Sequence, residues 1–379
     1  MNRRYFLKLC SISPIGLLAG CTPNEVKKTL QTAQSLTDGN LADAINQQLP
    51  SSGIAEVDLL VKRKIENLAE SLYKKWGDKK VASPKEYVKY TDHYQNRAII
   101  NFETGLIRVE TLEKEQPKIK LEQAIATTLL TPDDPSEVDL LSDQAVKAQG
   151  QPFLLNLVID HQGQPIRFQW RAENYAKHLM RTAYQTRREN NQTIHFVEFA
   201  MVQDHQTTSQ NKYAGLVTQY SRQFKIRTDL IYAIMEAESS FNPYAMSHIP
   251  AYGLMQIVPS SAGRDAHQLI YKRDGTPSKD YLFVPNNNIQ MGVAYLSILN
   301  DRYLARVTHP LSREYCVIAG YNTGSGNVLR AFDSDRSKAF DRINQMQPNQ
   351  VYQHLVRNLP YQETRRYMQK VTEFQRKYV

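Results

Sequence analysis

Cysteine is scarce in this chain of 379 residues: Cys10 and Cys21 stand near the start, and Cys316 is alone in the remainder. A single thiol there cannot make an internal disulfide, which excludes a disulfide framework. Cys316 lies in the apolar helical run Tyr315-Cys316-Val317-Ile318-Ala319, which suits a small buried side chain better than a nucleophile. Histidines at metal-ligand spacing are lacking too. His161, His178, His195 and His205 share none, so no metal and no cofactor is expected. No aromatic RNA-binding signature occurs, and no nucleic-acid partner is expected. After the N-terminal stretch, no segment approaches the ~18 apolar residues of a membrane span. What is present is ordinary globular usage, 41% apolar and 22% charged, over a length that suffices for two domains. The formal charge of +9 suits an anionic partner, but charge alone does not choose between nucleic acid, a membrane surface and an acidic polymer.

The first residues read as a targeting segment. Arg3 and Arg4 precede a modest apolar stretch from Leu9 to Leu18, closed by Leu18-Ala19-Gly20-Cys21. This resembles a bacterial lipoprotein signal, which implies removal of residues 1–20 and acylation of Cys21. One acyl chain binds membranes only marginally, and the two or three usual on such a cysteine anchor stably. Thr22, in place of Asp, implies sorting to the outer membrane, with the chain held on its inner leaflet and facing the periplasm. Asn2-Arg3-Arg4-Tyr5-Phe6-Leu7-Lys8 also resembles a twin-arginine motif with Asn at the usual Ser or Thr position, and the export route stays open. Residues 21–54 are polar, reach Pro50-Ser51-Ser52-Gly53, and read as a tether.

Residues 55–203 mix strand and helix signals and predict an α+β domain. Apolar residues recur at three and four from Val57 to Trp76, as in an amphipathic helix. Ala98–Phe102 and Leu106–Val109 flank Glu103-Thr104-Gly105 as a hairpin. A helix is expected over Leu121–Leu130, a second hairpin over Phe153–Ile159 and Ile166–Trp170, a helix over Asn174–Arg187 and a strand over Thr193–Val202. No catalytic constellation appears there. Lys177, Arg181, Arg187 and Arg188 form either a polymer-binding face or a solvated one. From residue 204 to 379 helices dominate, with a short irregular or β segment near Tyr252–Pro259.

The most informative run is Ile234-Met235-Glu236-Ala237-Glu238-Ser239-Ser240-Phe241-Asn242-Pro243. Leu230, Ile231, Ile234 and Met235 recur at helical spacing, and Glu238 continues their stripe while Glu236 faces elsewhere. Asn242-Pro243 stops the helix, so Glu238 sits in its last turn. The negative end of the helix dipole and partial burial both push its pKa upward, toward a general acid near neutral pH.

Glu238-Ser239-Ser240-Phe241-Asn242-Pro243, Gly253-Leu254-Met255-Gln256, Tyr321-Asn322 and Glu363-Thr364-Arg365-Arg366-Tyr367 follow in one order within about 130 residues. The series resembles the lytic transglycosylases related to the soluble Slt enzyme and to goose-type lysozyme. It implies a mainly α lysozyme-like domain after the α+β one, which itself resembles the N-terminal domain of a membrane-bound branch of that family. The implied partner is the glycan strand of peptidoglycan.

Glycosidases ordinarily use two carboxyl groups, ~5–5.5 Å apart for retention and ~6.5–9.5 Å for inversion. Here only Glu238 lies in a recognisable motif as the acid: Asp229 is far upstream, Glu236 points away and Asp265 lies in a charged segment. The resemblance implies that Glu238 protonates the bond between N-acetylmuramic acid and N-acetylglucosamine. It then deprotonates the muramoyl 6-hydroxyl, which closes a 1,6-anhydro ring. By the same resemblance Ser239 fixes the acid, Gly253 lets backbone approach the sugar, Met255 offers an apolar wall and Gln256 binds an acetamido group. Tyr321 hydrogen-bonds Glu238 or the sugar, Asn322 anchors the turn, and Tyr367 lines the cleft. Glu363 meets a muramoyl substituent or pairs with Arg365 or Arg366. Gly320 in place of the usual Ala, Thr323 in place of Gly, and Pro250 and Tyr252 beside Gly253 depart from the pattern and bear on loop geometry. Two other readings share these residues: a lysozyme that uses Glu238 with water, and a catalytically silent wall-binding lipoprotein.

Overall fold

The computed structural model describes residues 67–247 and 251–378; the signal, Cys21, the tether and Pro250 lie outside them. Helix α1 (residues 67–76) buries Leu72 and Trp76. It leads into an antiparallel sheet of β1 (Glu86–Thr91), β2 (Asn96–Asn101), β3 (Leu106–Thr111), β4 (Tyr184–Glu189) and β5 (Gln192–Ala200), in the order β1-β2-β3-β5-β4.

Two turns set its registers. Between β2 and β3, the Asn101 side chain accepts the backbone N–H groups of Glu103 and Thr104, and Gly105 adopts φ +73. Asn190 and Asn191, both at positive φ, join β4 to β5 as the two residues of a tight hairpin. Helices α2 (Pro117–Leu129) and α3 (Gln169–Thr182) pack together and, respectively, against β2 and β3 and against β4 and β5.

The expected α+β class, the β2–β3 hairpin, α2 and β5 are present; the middle of this half differs. Residues 153–170 form no hairpin. Asn156 takes φ 66, and only isolated bridges such as Ile159 to Pro165 remain. Phe153, Leu154, Leu157, Val158 and Ile166 are nonetheless buried, so an apolar run mistaken for strands is an irregular segment folded into the core. The helix expected from Asn174 begins at Gln169 and ends at Thr182, and the polar residues after it form β4. Strand β1 was not anticipated.

The second half is helical: α4 (His205–Phe224), α5 (Thr228–Ser239), α6 (Arg264–Tyr271), α7 (Lys279–Phe283), α8 (Pro285–Ile298), α9 (Pro310–Thr323), α10 (Ser325–Arg330), α11 (Arg336–Gln345), α12 (Pro348–Asn358) and α13 (Gln362–Gln375). Helix α5 lies against α4 and α13. Two bridges, Met246 to Tyr252 and Tyr252 to Ile257, make the small β segment expected there.

One continuous core joins the halves. Tyr244 is fully buried, its ring 5.1 Å from that of Tyr87 on β1 and 5.2 Å from that of Phe153. Its hydroxyl donates to the Pro132 carbonyl at 2.6 Å. Burial of such a ring contributes about 1.5–3 kcal/mol, with edge-to-face pairing adding roughly 1 kcal/mol. Tyr244 belongs to the segment that leaves α5, so the sheet half grips the chain just beyond Glu238.

Candidate active site

Helix α5 ends because Ser240 and Phe241 both take left-handed backbone, φ 50 and 63. Two successive non-glycine residues in that region carry strain, held here by the full burial of Phe241 and Ser239. The Ser239 hydroxyl donates to Met235 and Leu254 carbonyls at 3.1 and 2.7 Å. It therefore ties the helix end to the 252–257 segment and makes no bond to Glu238. Asn242 closes the turn: its side-chain oxygen accepts the Tyr244 N–H at 3.0 Å, and its amide donates to the Pro84 carbonyl at 3.1 Å.

The helix is not amphipathic in the way its stripe suggested. Asp229 to Glu236 are all buried, and Ala237 and Glu238 are the more open positions. Because Asp229 to Glu236 are enclosed all round, Glu238 marks where that enclosure loosens. The three other acids of the sequence analysis, Glu236, Asp229 and Asp265, are engaged. Glu236 accepts Lys377 Nζ at 2.8 Å and the Tyr378 hydroxyl at 2.6 Å. Asp229 accepts from Arg227 and from Gln375, and Asp265 accepts the Tyr303 hydroxyl at 2.7 Å.

The Glu238 carboxyl is pushed up to about 7, chiefly by burial; the Tyr367 hydroxyl pulls the other way, the Glu363 charge adds to the rise, and the Lys85 ammonium opposes it. Glu363 and Tyr367 lie one turn apart on α13. Glu363 is exposed and forms no ion pair with Arg365 or Arg366; the Arg365 guanidinium donates to the Leu359 carbonyl instead. The Tyr367 hydroxyl is enclosed without a fully formed hydrogen bond, yet lies close enough to Glu238 for each to shift the other. Tyr321 donates its hydroxyl to the Met255 carbonyl at 2.8 Å rather than to Glu238, although the Glu238 charge helps to hold that phenol protonated, after burial. Asn322 accepts the Thr364 hydroxyl at 2.7 Å, which pins α13 to the end of α9.

The Gly253–Gln256 segment is arranged around a residue that the sequence reading passed over. Asn288, fully buried on α8, donates to the Tyr252 and Leu282 carbonyls at 2.7 Å each and accepts the Met255 N–H at 2.8 Å. At Gly253, φ +74, a Cβ would stand 2.3 Å from the Asn288 amide nitrogen. The glycine thus makes room for the Asn288 amide. Met255 is fully buried and fills the space that a Cβ on Gly292 would need, 2.3 Å from its sulfur. Its side chain is core and presents no wall to a ligand. Gln256, at φ 47, donates to the Gly253 carbonyl at 3.0 Å and leaves its side-chain oxygen enclosed and unpartnered.

Residues 48–212 match the family described as Membrane-bound lytic murein transglycosylase C, N-terminal domain, and residues 215–344 match the Transglycosylase SLT domain. The Membrane-bound lytic murein transglycosylase C of Klebsiella pneumoniae is 42% identical over 98% of both chains. That of Cronobacter sakazakii is 47% identical over 80% of this chain and 85% of its own. The chain belongs to this family. Glu238, Met255, Gln256 and Tyr321 fall within the matched SLT residues, whereas Glu363 and Tyr367 lie beyond them. Among solved structures, the 70 kDa soluble lytic transglycosylase of Escherichia coli aligns at 26% identity over 44% of this chain and 24% of that one, with a TM-score of 0.35.

Proposed function

We propose that the protein is a lytic transglycosylase of peptidoglycan in which Glu238 acts as acid and then as base. The observation that carries the reading is a half-buried carboxyl at the end of α5, raised toward neutral pKa chiefly by burial, while Asp229, Glu236 and Asp265 are each bound to a partner and Glu363, whose charge adds to the rise, is exposed. Protonated Glu238 gives its proton to the glycosidic oxygen as the bond from the muramoyl C1 breaks, which frees the N-acetylglucosamine 4-hydroxyl. The resulting carboxylate takes the proton of the muramoyl 6-hydroxyl, whose oxygen bonds to C1. Glu238 is protonated again and no water is consumed. An attacking group tethered to the same ring gains from proximity what a bound water would lack.

Gln256 would accept an acetamido N–H on its unpartnered oxygen, while Tyr321 and Tyr367 wall the space around Glu238. Glu363 would meet a muramoyl substituent, Ser239 and Asn322 acting behind the surface as ties. We place the module boundary near residue 204, between β5 and α4. Cys21 would carry the acyl chains that hold the protein on the inner leaflet of the outer membrane; Cys21→Ser should then move it to the soluble periplasmic fraction.

Product mass tests the chemistry. Digests of purified sacculi should contain 1,6-anhydromuramoyl ends, each lighter by one water than a reducing end. Reducing muramic ends alone would favour the lysozyme reading. Unchanged sacculus turnover by Glu238→Gln would favour a silent wall-binding protein.

A further inference from the structure

Lys85, at the threshold of β1, and Lys370, on α13, come from opposite halves of the chain and meet over one carboxylate. Each ammonium donates to Glu103 Oε1, at 2.5 Å from Lys85 and 2.8 Å from Lys370. Glu103 lies in the turn between β2 and β3. The cluster lies near Glu238, whose carboxyl feels the Lys85 charge, and two further links join them. Glu363, Tyr367 and Lys370 share one face of α13 at spacings of four and three, and the Tyr367 hydroxyl lies close enough to Glu238 for each to shift the other. On the other side, the carbonyl of Pro84, beside Lys85, is held by Asn242, four residues after Glu238.

Two cations against one anion leave a net positive charge. Each ammonium also uses one of its three donors on Glu103 and keeps others for a ligand. The Lys85 and Lys370 side chains retain 21% and 35% of their exposure, so solutes can reach them without a rearrangement. Burial lowers the Lys85 pKa, with the Lys370 ammonium adding to the fall while Glu103 resists it. An arriving carboxylate would relieve that repulsion.

We propose that Lys85 and Lys370, joined over Glu103, form the subsite that recognises carboxylate groups on the peptide substituents of the glycan. The inference rests on the peptidoglycan reading above and assigns a task to the sheet half: selection of peptide-bearing over bare strands. Charged contacts of this exposure, removed singly, change binding by about tenfold.

The test compares three strand preparations: peptide-bearing, peptide-bearing with amidated carboxylates, and stripped of peptides by an amidase. Assays at about pH 5.5 keep Glu238 protonated in every variant. The unaltered enzyme should show kcat/KM about tenfold higher on the free carboxylate strands than on the other two, through KM. Lys85→Met and Lys370→Met should each bring that ratio toward one, and Lys85→Arg should retain most of it. Equal rates on carboxylate and amidated strands by the unaltered enzyme would overturn the proposal, whatever the variants do. An undiminished ratio in both Met variants would overturn it as well, and would leave the cluster as a tie between the halves. Reducing ends in place of anhydro ends would instead sink the reaction assignment, and the selectivity ratio would still read the subsite.

Discussion

At the scale of the residue, the central quantity is the proton on Glu238. Its carboxyl, raised to about 7, must be protonated to begin the reaction, so kcat/KM should fall as pH rises through about 7. Glu363 raises that value, so Glu363→Gln should move the falling limb to lower pH. Lys85 lowers it, so Lys85→Met should move the limb upward; shifts in the opposite senses in the pH profile would refute the electrostatic reading. The same proton enters stability. Between about 4.5 and 7 the folded state binds a proton that the unfolded chain has released, so Glu238 costs stability as pH rises through that window. The cost reaches about 3 kcal/mol above it, on the order set by the shift. Glu238→Gln should therefore be inactive yet melt higher than the parent at pH 8, with the difference gone by about pH 4. An equal or lower melting temperature at pH 8 would contradict a buried carboxylate.

At the scale of the element, the 252–257 segment depends on one amide. Asn288→Ala removes the partners of the Leu282 carbonyl and of the Met255 N–H together, and one of two partners of the Tyr252 carbonyl, which keeps the Ile257 N–H. At roughly 1–2 kcal/mol for each of these two buried groups left unmet, the loss should be about 2–4 kcal/mol by urea denaturation, and activity should fall with the segment's displacement. Little of this was legible beforehand. The motif around Glu238 was, because a helix end, a stop at Asn242-Pro243 and a nearby glycine each leave local marks. The β2–β3 hairpin was legible for the same reason, through its alternation and Gly105. Residues 153–170 misled because a run of buried apolar residues looks alike in a strand and in a folded-in irregular segment. Strand β4 is mostly polar, and Asn288 hides in a buried helix whose role depends on contacts 33 and 36 residues away. Lys85 was out of reach: nothing local connects it to a glutamate at position 238.

At the scale of the whole molecule, the sheet half and the helical half share their core, and this should govern how the protein unfolds. Trp76 and Trp170, the two tryptophans, both lie in the sheet half, so indole fluorescence reports on that half, while helical circular dichroism reports chiefly on α4 to α13. If the Tyr244 contact couples them, both signals should change at the same temperature and the same denaturant concentration. Tyr244→Ala would leave a cavity between Tyr87 and Phe153 and orphan the Pro132 carbonyl. It should cost about 3–5 kcal/mol, lower both midpoints and separate them, with the activity loss following the helical signal's exposure of the α5 terminus. Coincident midpoints in the parent that stay coincident and unshifted in Tyr244→Ala would mean that the coupling runs elsewhere. Two well-separated transitions in the parent would mean that the halves are independent, and that the sheet half cannot hold the segment beyond Glu238 in place.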